Sequence, residues 1–216
     1  MSRVVVMRAV RAFPLLLVFG VAPISHCQTN AAKGISGCNV TTEEYAVYSA
    51  VLSKLAKPED KRKRRDKKNQ FFLSDITATS FGAFENRPDH ANWHSRSDST
   101  DKPSKTTSES FNSKTHDSCR LKRSLELTFQ YVLVPNEEIR EVFKEGVTGW
   151  SKFYENYPQA SGYLELSRVG FNGEDSEALV YVANHCGGRC GTGNFVLLRK
   201  QTGRWVVKNR VMLWIS

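Results

Sequence analysis

The last third of the chain constrains the fold more than any other part. Residues 163–171, 178–184, 194–200 and 204–215 are four apolar-rich runs of strand length. Asn172-Gly173, the glycine-rich stretch from Cys186 to Gly193, and Thr202-Gly203 separate them. Asn-Gly is a strong hairpin signal, because both residues accept the positive φ that tight two-residue turns demand. Consecutive strands joined by short links run antiparallel, so this region is predicted to be a four-strand meander.

Two further strands are expected upstream. Phe71, Phe72, Leu73 and Ile76 supply the apolar content of 70–79, and 125–134 places Leu125, Leu127, Phe129, Tyr131 and Leu133 on one face. Helical spacing marks 41–57, where Tyr45, Tyr48, Val51, Leu52 and Leu55 share a face. Thr41 or Thr42 suits its N-cap, Glu43 and Glu44 suit the first-turn dipole, and Lys57-Pro58 ends it. Short helices are predicted at 136–144, capped by Asn136 and burying Ile139, Val142 and Phe143, and at 149–157, where Trp150, Phe153, Tyr154 and Tyr157 form an aromatic stripe. The expected class is α+β: an antiparallel sheet of about six strands, packed by the N-terminal helix and the two short ones.

Residues 86–120 contain no Leu, Ile or Val, while 12 of them are Ser or Thr. Little apolar surface is available there to offset the entropy of ordering, so the stretch is expected to be a flexible polar excursion, relieved only by a short helix near 108–114.

Charge and cysteine usage bear on compartment. Arg3, Arg8 and Arg11 precede an apolar run at 12–24, and Ser25 and Cys27 fit a cut before Gln28. That order is the pattern of a signal peptide over 1–27. Pro14, Gly20 and Pro23 interrupt the run, which is too short for a spanning helix. Ile24-Ser25-His26-Cys27 also loosely resembles a lipobox, so a lipid anchor on Cys27 is the alternative to a periplasmic or secreted protein. The formal charge of +9 divides into +3 within 1–27 and +6 within Lys61–Lys68, leaving the remainder neutral. A basic run confined to the 58–69 linker is expected to be a solvated loop with at most a weak contact to an anionic surface. It does not make the extended cationic face that specific nucleic-acid binding requires. Residues 28–216 suit a single domain.

Beyond Cys27, four cysteines remain, an even number appropriate to an oxidising location. They allow three pairings. Cys186–Cys190 with Cys38–Cys119 is favoured, because the first two lie close enough to close locally.

Several motifs of this chain occur together elsewhere. Trp150…Phe153-Tyr154…Tyr157-Pro158, Leu166-Ser167-Arg168-Val169-Gly170-Phe171-Asn172, Ala178-Leu179-Val180-Tyr181, Cys186-Gly187…Cys190-Gly191-Thr192-Gly193, the ending Trp214-Ile215-Ser216 and the helix segment Glu44-Tyr45-Ala46-Val47-Tyr48-Ser49 resemble a group of small exported bacterial proteins with no assigned function. The resemblance covers about half of residues 28–216. It implies a bacterial, exported protein and carries over no catalytic residue.

Among possible chemical sites, His185, Cys186 and Cys190 stand out. The segment suits a disulfide stapling a glycine-rich connection. Alternatives are a redox pair whose thiolate is favoured by Arg189 and His185, or a thiolate–imidazole metal site for copper or zinc. The C-x3-C spacing beside a histidine is similar to that of exported copper-delivery proteins, but no βαβ pattern surrounds it. The nearby glycines lack the Lys-Ser/Thr of a P-loop, and Ala91 stands where a zincin beginning at His90 and His94 needs glutamate. Ser167 lacks the strand–turn–helix setting of an exposed nucleophile. Arg168 alternates with Leu164 and Leu166, and a guanidinium on an apolar face needs an acidic partner, such as Glu155 or Glu174, or an anionic ligand. Arg168 with Trp150, Tyr154 and Tyr163 is therefore the candidate ligand site. No catalytic residue and no cofactor is assigned. The expected function is a non-catalytic exported domain binding a small anionic or carbohydrate ligand, or a protein partner. The alternative is a thiol-redox or metal-handling protein using His185, Cys186 and Cys190.

Overall fold

The structure is a computed structural model that describes residues 38–56, 70–81 and 101–216. The predicted signal segment with Cys27, the basic linker at 58–69, and His90 and His94 lie outside the described residues.

Among the described residues, four α-helices pack on an open, mixed seven-strand sheet, which makes the class α+β. The elements are α1 (Thr42–Leu55), β1 (Gln70–Ser74), α2 (Lys105–Lys114), β2 (Gln130–Val134), α3 (Asn136–Val142), α4 (Gly149–Asn156), β3 (Tyr163–Leu166), β4 (Gly170–Phe171), β5 (Glu177–His185), β6 (Gly191–Gln201) and β7 (Arg204–Ile215). Sheet order is β2-β1-β3-β5-β6-β7, with β4 pairing β5 beyond the end of β3.

The C-terminal meander is present, with β3 and β4 both antiparallel to β5, β5 to β6 and β6 to β7. The expectation of an antiparallel sheet throughout does not hold: β1 runs parallel to both β2 and β3. The physical reason lies in the connections. Only a short link forces an antiparallel neighbour, whereas β1 reaches β2 through a long crossover that includes α2.

Three strands are shorter than predicted, and the run 163–171 is broken between β3 and β4 at residues 167–169. Beyond β1, isolated bridges from Ile76 to Arg120 and from Ala78 to Ser167 continue the pairing. Ahead of β2, Leu125, Leu127 and Phe129 point into the core as their alternation predicts, but their backbone joins no ladder. The Glu126 N–H instead donates to the Ser49 hydroxyl at 3.0 Å, and the Leu125 N–H to the Tyr131 hydroxyl at 3.3 Å.

Helix α1 has the predicted buried face, with Tyr45, Tyr48, Val51 and Leu52 against Leu164, Leu166, Val180, Val182, Val196 and Leu198. Thr41 is its N-cap, and Glu44 closes a reciprocal capping box with it. Helix α3 starts at Asn136, within the expected range, and ends at Val142; its N-cap is Pro135, not Asn136, whose N–H donates to the Asp75 carboxylate at 2.8 Å. The other sheet face carries two aromatic layers. Ile139, Val142 and Phe153 of α3 and α4 cover Phe72, Val134 and Tyr163. Phe111 of α2, with Phe81, covers Leu179, Tyr181, Phe195, Leu197, Val211 and Leu213.

Helix α2 corrects the reading of 86–120 over its described part, 101–120. The helix starts at Lys105, capped by the Ser104 hydroxyl. Buried Glu177 accepts from the Ser104 N–H at 2.6 Å and from the Thr107 hydroxyl at 2.8 Å. One fully buried phenylalanine, Phe111, then contributes ~2–3 kcal/mol of apolar burial. A few buried hydrogen bonds and a single large side chain order a segment whose composition alone argues against order.

Candidate functional site

Arg168 does not join Trp150, Tyr154 and Tyr163. β3 ends at Leu166, and the chain turns Arg168 towards the N-terminus of α1. Arg168 Nε and Nη2 grip the two carboxylate oxygens of Glu44 at 2.8 and 3.1 Å. Glu44, fully buried, also accepts from the Val169 N–H at 3.1 Å and the Thr41 N–H at 2.9 Å. Burial alone would raise the Glu44 carboxyl, but the hydrogen bonds from Arg168, Thr41 and Val169 outweigh it and hold the group below the usual carboxylate value. The acidic partner is thus Glu44, not Glu155 or Glu174. Four donors occupy the Glu44 carboxylate, and Arg168 is itself buried with Nε and both Nη groups engaged, so the pair has no open face for a ligand.

Arg168 Nη1 also lies 2.8 Å from the sulfurs of both Cys38 and Cys119. These two cysteines stand at disulfide distance, with Cα atoms 5.3 Å apart, and Cys186 and Cys190 do so at 5.1 Å. The favoured pairing is the one observed.

Trp150, Tyr154 and Tyr163 do come together, and the fold adds His185 and Trp214 to them. Trp150 and Tyr154 are one turn apart on α4, Tyr163 opens β3, His185 closes β5 directly opposite Tyr163, and Trp214 lies near the end of β7. Tyr154 stacks on Trp150 with centroids 5.7 Å apart, and Trp150 on Tyr163 at 6.0 Å. Tyr163 stacks on His185 at 4.9 Å, and His185 leans against Trp214 at 5.5 Å. The five rings form one continuous series across the sheet. Tyr163 is buried, and the other four keep part of their surface in solvent. The rest of the predicted stripe divides differently. Phe153 is wholly buried packing, and the Tyr157 hydroxyl donates to Glu138 at 2.8 Å.

Two polar contacts fix the ends of the series. The Tyr154 hydroxyl donates to the Cys186 carbonyl, and the Trp214 indole N–H donates to the Tyr181 hydroxyl, each at 2.9 Å. Burial pushes Tyr181 up to about 12, against the pull of that indole N–H, so its hydroxyl stays protonated in neutral solution.

Glycines make the Trp214 position possible. Gly191 and Gly193 lie within β6, not in the turn expected from the sequence. A Cβ on Gly193 would collide with the Trp214 indole nitrogen, and one on Gly191 would lie 2.8 Å from Ser216 Oγ and 3.1 Å from the Trp214 ring. Alternate glycines leave a bare track on one strand face, and the indole occupies it.

A polar pair interrupts this aromatic surface. Glu165, two residues after Tyr163 on the same face, places Oε2 2.9 Å from His185 Nε2. Both side chains are 27% exposed. His185 Nδ1 makes no hydrogen bond to a described residue. The carboxylate fixes the ring orientation and leaves one nitrogen for another molecule. Sequence reasoning assigned His185 to a possible redox or metal site with Cys186 and Cys190, not to the ring series, and missed Glu165 and Trp214.

The geometry gives no support to a metal site at His185, Cys186 and Cys190. The two sulfurs pair with each other, and the imidazole engages Glu165. Among the described residues, no group of three or more His, Cys, Asp or Glu side chains is placed to hold a metal ion. No helix among the described residues is long and apolar enough to cross a membrane.

The chain matches no protein-family model, no curated protein and no solved structure.

Proposed function

We propose that the protein is an exported, non-catalytic binding domain whose ligand is a carbohydrate, held at the ring series Trp150–Tyr163–His185–Trp214 and oriented by Glu165 and His185. Two cysteine pairs at disulfide distance fit an oxidising, extracytoplasmic location. The observation that carries the reading is the Glu165–His185 pair, partly exposed among partly exposed rings. Sugars offer apolar C–H faces for aromatic rings and hydroxyls that donate to a carboxylate and to the second imidazole nitrogen. Elsewhere in the fold, the Arg168–Glu44 pair is sealed and offers neither.

The test is titration of the full chain with chitohexaose, cellohexaose and maltohexaose, followed by calorimetry. Saturable binding of at least one, abolished by Trp214→Ala and by Glu165→Gln with the fold intact by circular dichroism, is the expected result. Absence of saturable binding to all three overturns the reading.

One observation favours a second reading, thiol–disulfide exchange. Cys190 is exposed at the end of a short glycine-rich loop. A partner thiolate would attack Cys190 Sγ, form a mixed disulfide and release the Cys186 thiolate. Resistance of the 186–190 bond to millimolar reduced glutathione at pH 7 would exclude it.

A further inference from the structure

The opposite sheet face carries a groove. Helix α1 covers that face only as far as Leu55. Beyond it, among the described residues, the groove of about 240 Å³ is lined by Phe71 of β1, Leu164 of β3, Asn184 of β5, Thr192 of β6 and Arg210 of β7, with Leu55 at its edge. The register explains how residues so far apart in sequence meet. Leu73 pairs with Leu164, Leu164 with Asn184 and Asn184 with Thr192, so one row crosses the sheet on one face.

The chemistry of this lining is one-sided. It holds a guanidinium, the Asn184 carboxamide and hydroxyls over an apolar floor and, among the described residues, no carboxylate. Arg120, Arg168 and Arg199 each engage carboxylates. Arg210 does not: its Nε donates to the Asn194 side-chain oxygen at 2.9 Å, and its two Nη groups donate to no described residue. That single bond orients the guanidinium plane while leaving the pair of donors that matches a carboxylate's two oxygens. Two of the exposed large apolar side chains, Met212 and Ile215, lie on the same face of β7, opposite Asn194 and Thr192. An apolar floor and rim beside one oriented cation suit an amphiphile with a single negative end. The volume lies just under the ~300–1,000 Å³ typical of small-molecule pockets, which restricts the occupant to a small one.

We infer that this groove binds a small organic carboxylate with a short apolar body. The carboxylate sits on the Arg210 Nη groups within reach of the Asn184 amide, and the apolar body lies on Leu164 and Phe71. The site is on the opposite face from the ring series and stands whether or not a sugar binds there.

The test uses the full chain and three probes, hexanoate, hexanol and inorganic phosphate, followed by amide chemical shifts. Hexanoate is expected to bind saturably and to shift Leu164, Asn184 and Thr192, with hexanol and phosphate weaker. Arg210→Gln is expected to weaken hexanoate by roughly tenfold or more, from loss of a charge-assisted pair. Arg210 is exposed, so the variant should fold, and the ranking of the probes on the unaltered protein tests the charge independently. Three results overturn the proposal: no saturable hexanoate binding, unchanged affinity in Arg210→Gln, or binding of hexanol or phosphate as tight as that of hexanoate.

Discussion

Glu44 and Arg168 are 124 residues apart in sequence and meet as a bidentate ion pair inside the protein. The pair joins the first turn of α1 to the segment between β3 and β4, beside Cys38 and Cys119. Removing one partner leaves the other charged and buried. Glu44→Gln or Arg168→Met is therefore expected to cost ~3–5 kcal/mol, while the double variant Glu44→Leu/Arg168→Met recovers much of it. Urea unfolding of the three variants measures the difference. Equal loss in the double and single variants would contradict this account.

Acid should unfold the protein through the same residue. The folded state holds Glu44 below the ordinary carboxylate value, and Glu177, where burial opposes but Ser104, Thr107 and Arg199 prevail, is held down as well. A lowered folded value means stability that is complete above the unfolded value of ~4.3 and is lost as pH falls through the folded one. Melting temperature is expected to be level from pH 7 to about 5 and to fall below that. The fall should be shallower in Glu177→Gln, measured against its own value at neutral pH.

The two cysteine pairs differ in the loop they close. Cys38–Cys119 spans 81 residues and Cys186–Cys190 spans 4. On the chain-entropy account, loss of the first costs ~4–5 kcal/mol and loss of the second about 2. Cys38→Ser/Cys119→Ser and Cys186→Ser/Cys190→Ser, compared by thermal melting, should rank in that order.

Gly193→Ala tests the seat of Trp214. The added Cβ would occupy the place of the indole, so the ring must leave its hydrogen bond to Tyr181. The expected signature is a changed indole fluorescence and a near-ultraviolet circular dichroism change, with far-ultraviolet signal retained. A spectrum identical to the parent would show that the indole does not lie on that track.

What was legible in the sequence was local. The hairpins at Asn172-Gly173 and Thr202-Gly203 follow from turn chemistry, and the α1 face from a single periodicity. Thr41-x-x-Glu44 has capping-box spacing, so Glu44 was visible as a helix-start residue, but its second role depends on Arg168 far along the chain. The parallel pairing of β1 was not legible, because nothing in a long crossover states direction. Helix α2 was undervalued because its order comes from Glu177, which no local pattern reveals. At the candidate site, Trp150 and Tyr154 were visible on their helix. His185 was seen as a companion of the cysteines, and Trp214 as part of a terminal strand. The missed signal was the alternation Gly191-x-Gly193, which on a strand clears one face and implies a large side chain lying across it.

The proposed ligand seat is Trp214, His185 and Glu165. Its most direct test is a ¹H–¹⁵N spectrum of the four tryptophan indoles during titration with chitohexaose, cellohexaose and maltohexaose. The Trp214 resonance should move saturably with at least one of them, and that of Trp150 with it. Trp205, whose indole donates to Glu43 at 2.6 Å on the α1 side, should stay in place. A stationary Trp214 with all three sugars, or a shift confined to Trp205, would contradict the account.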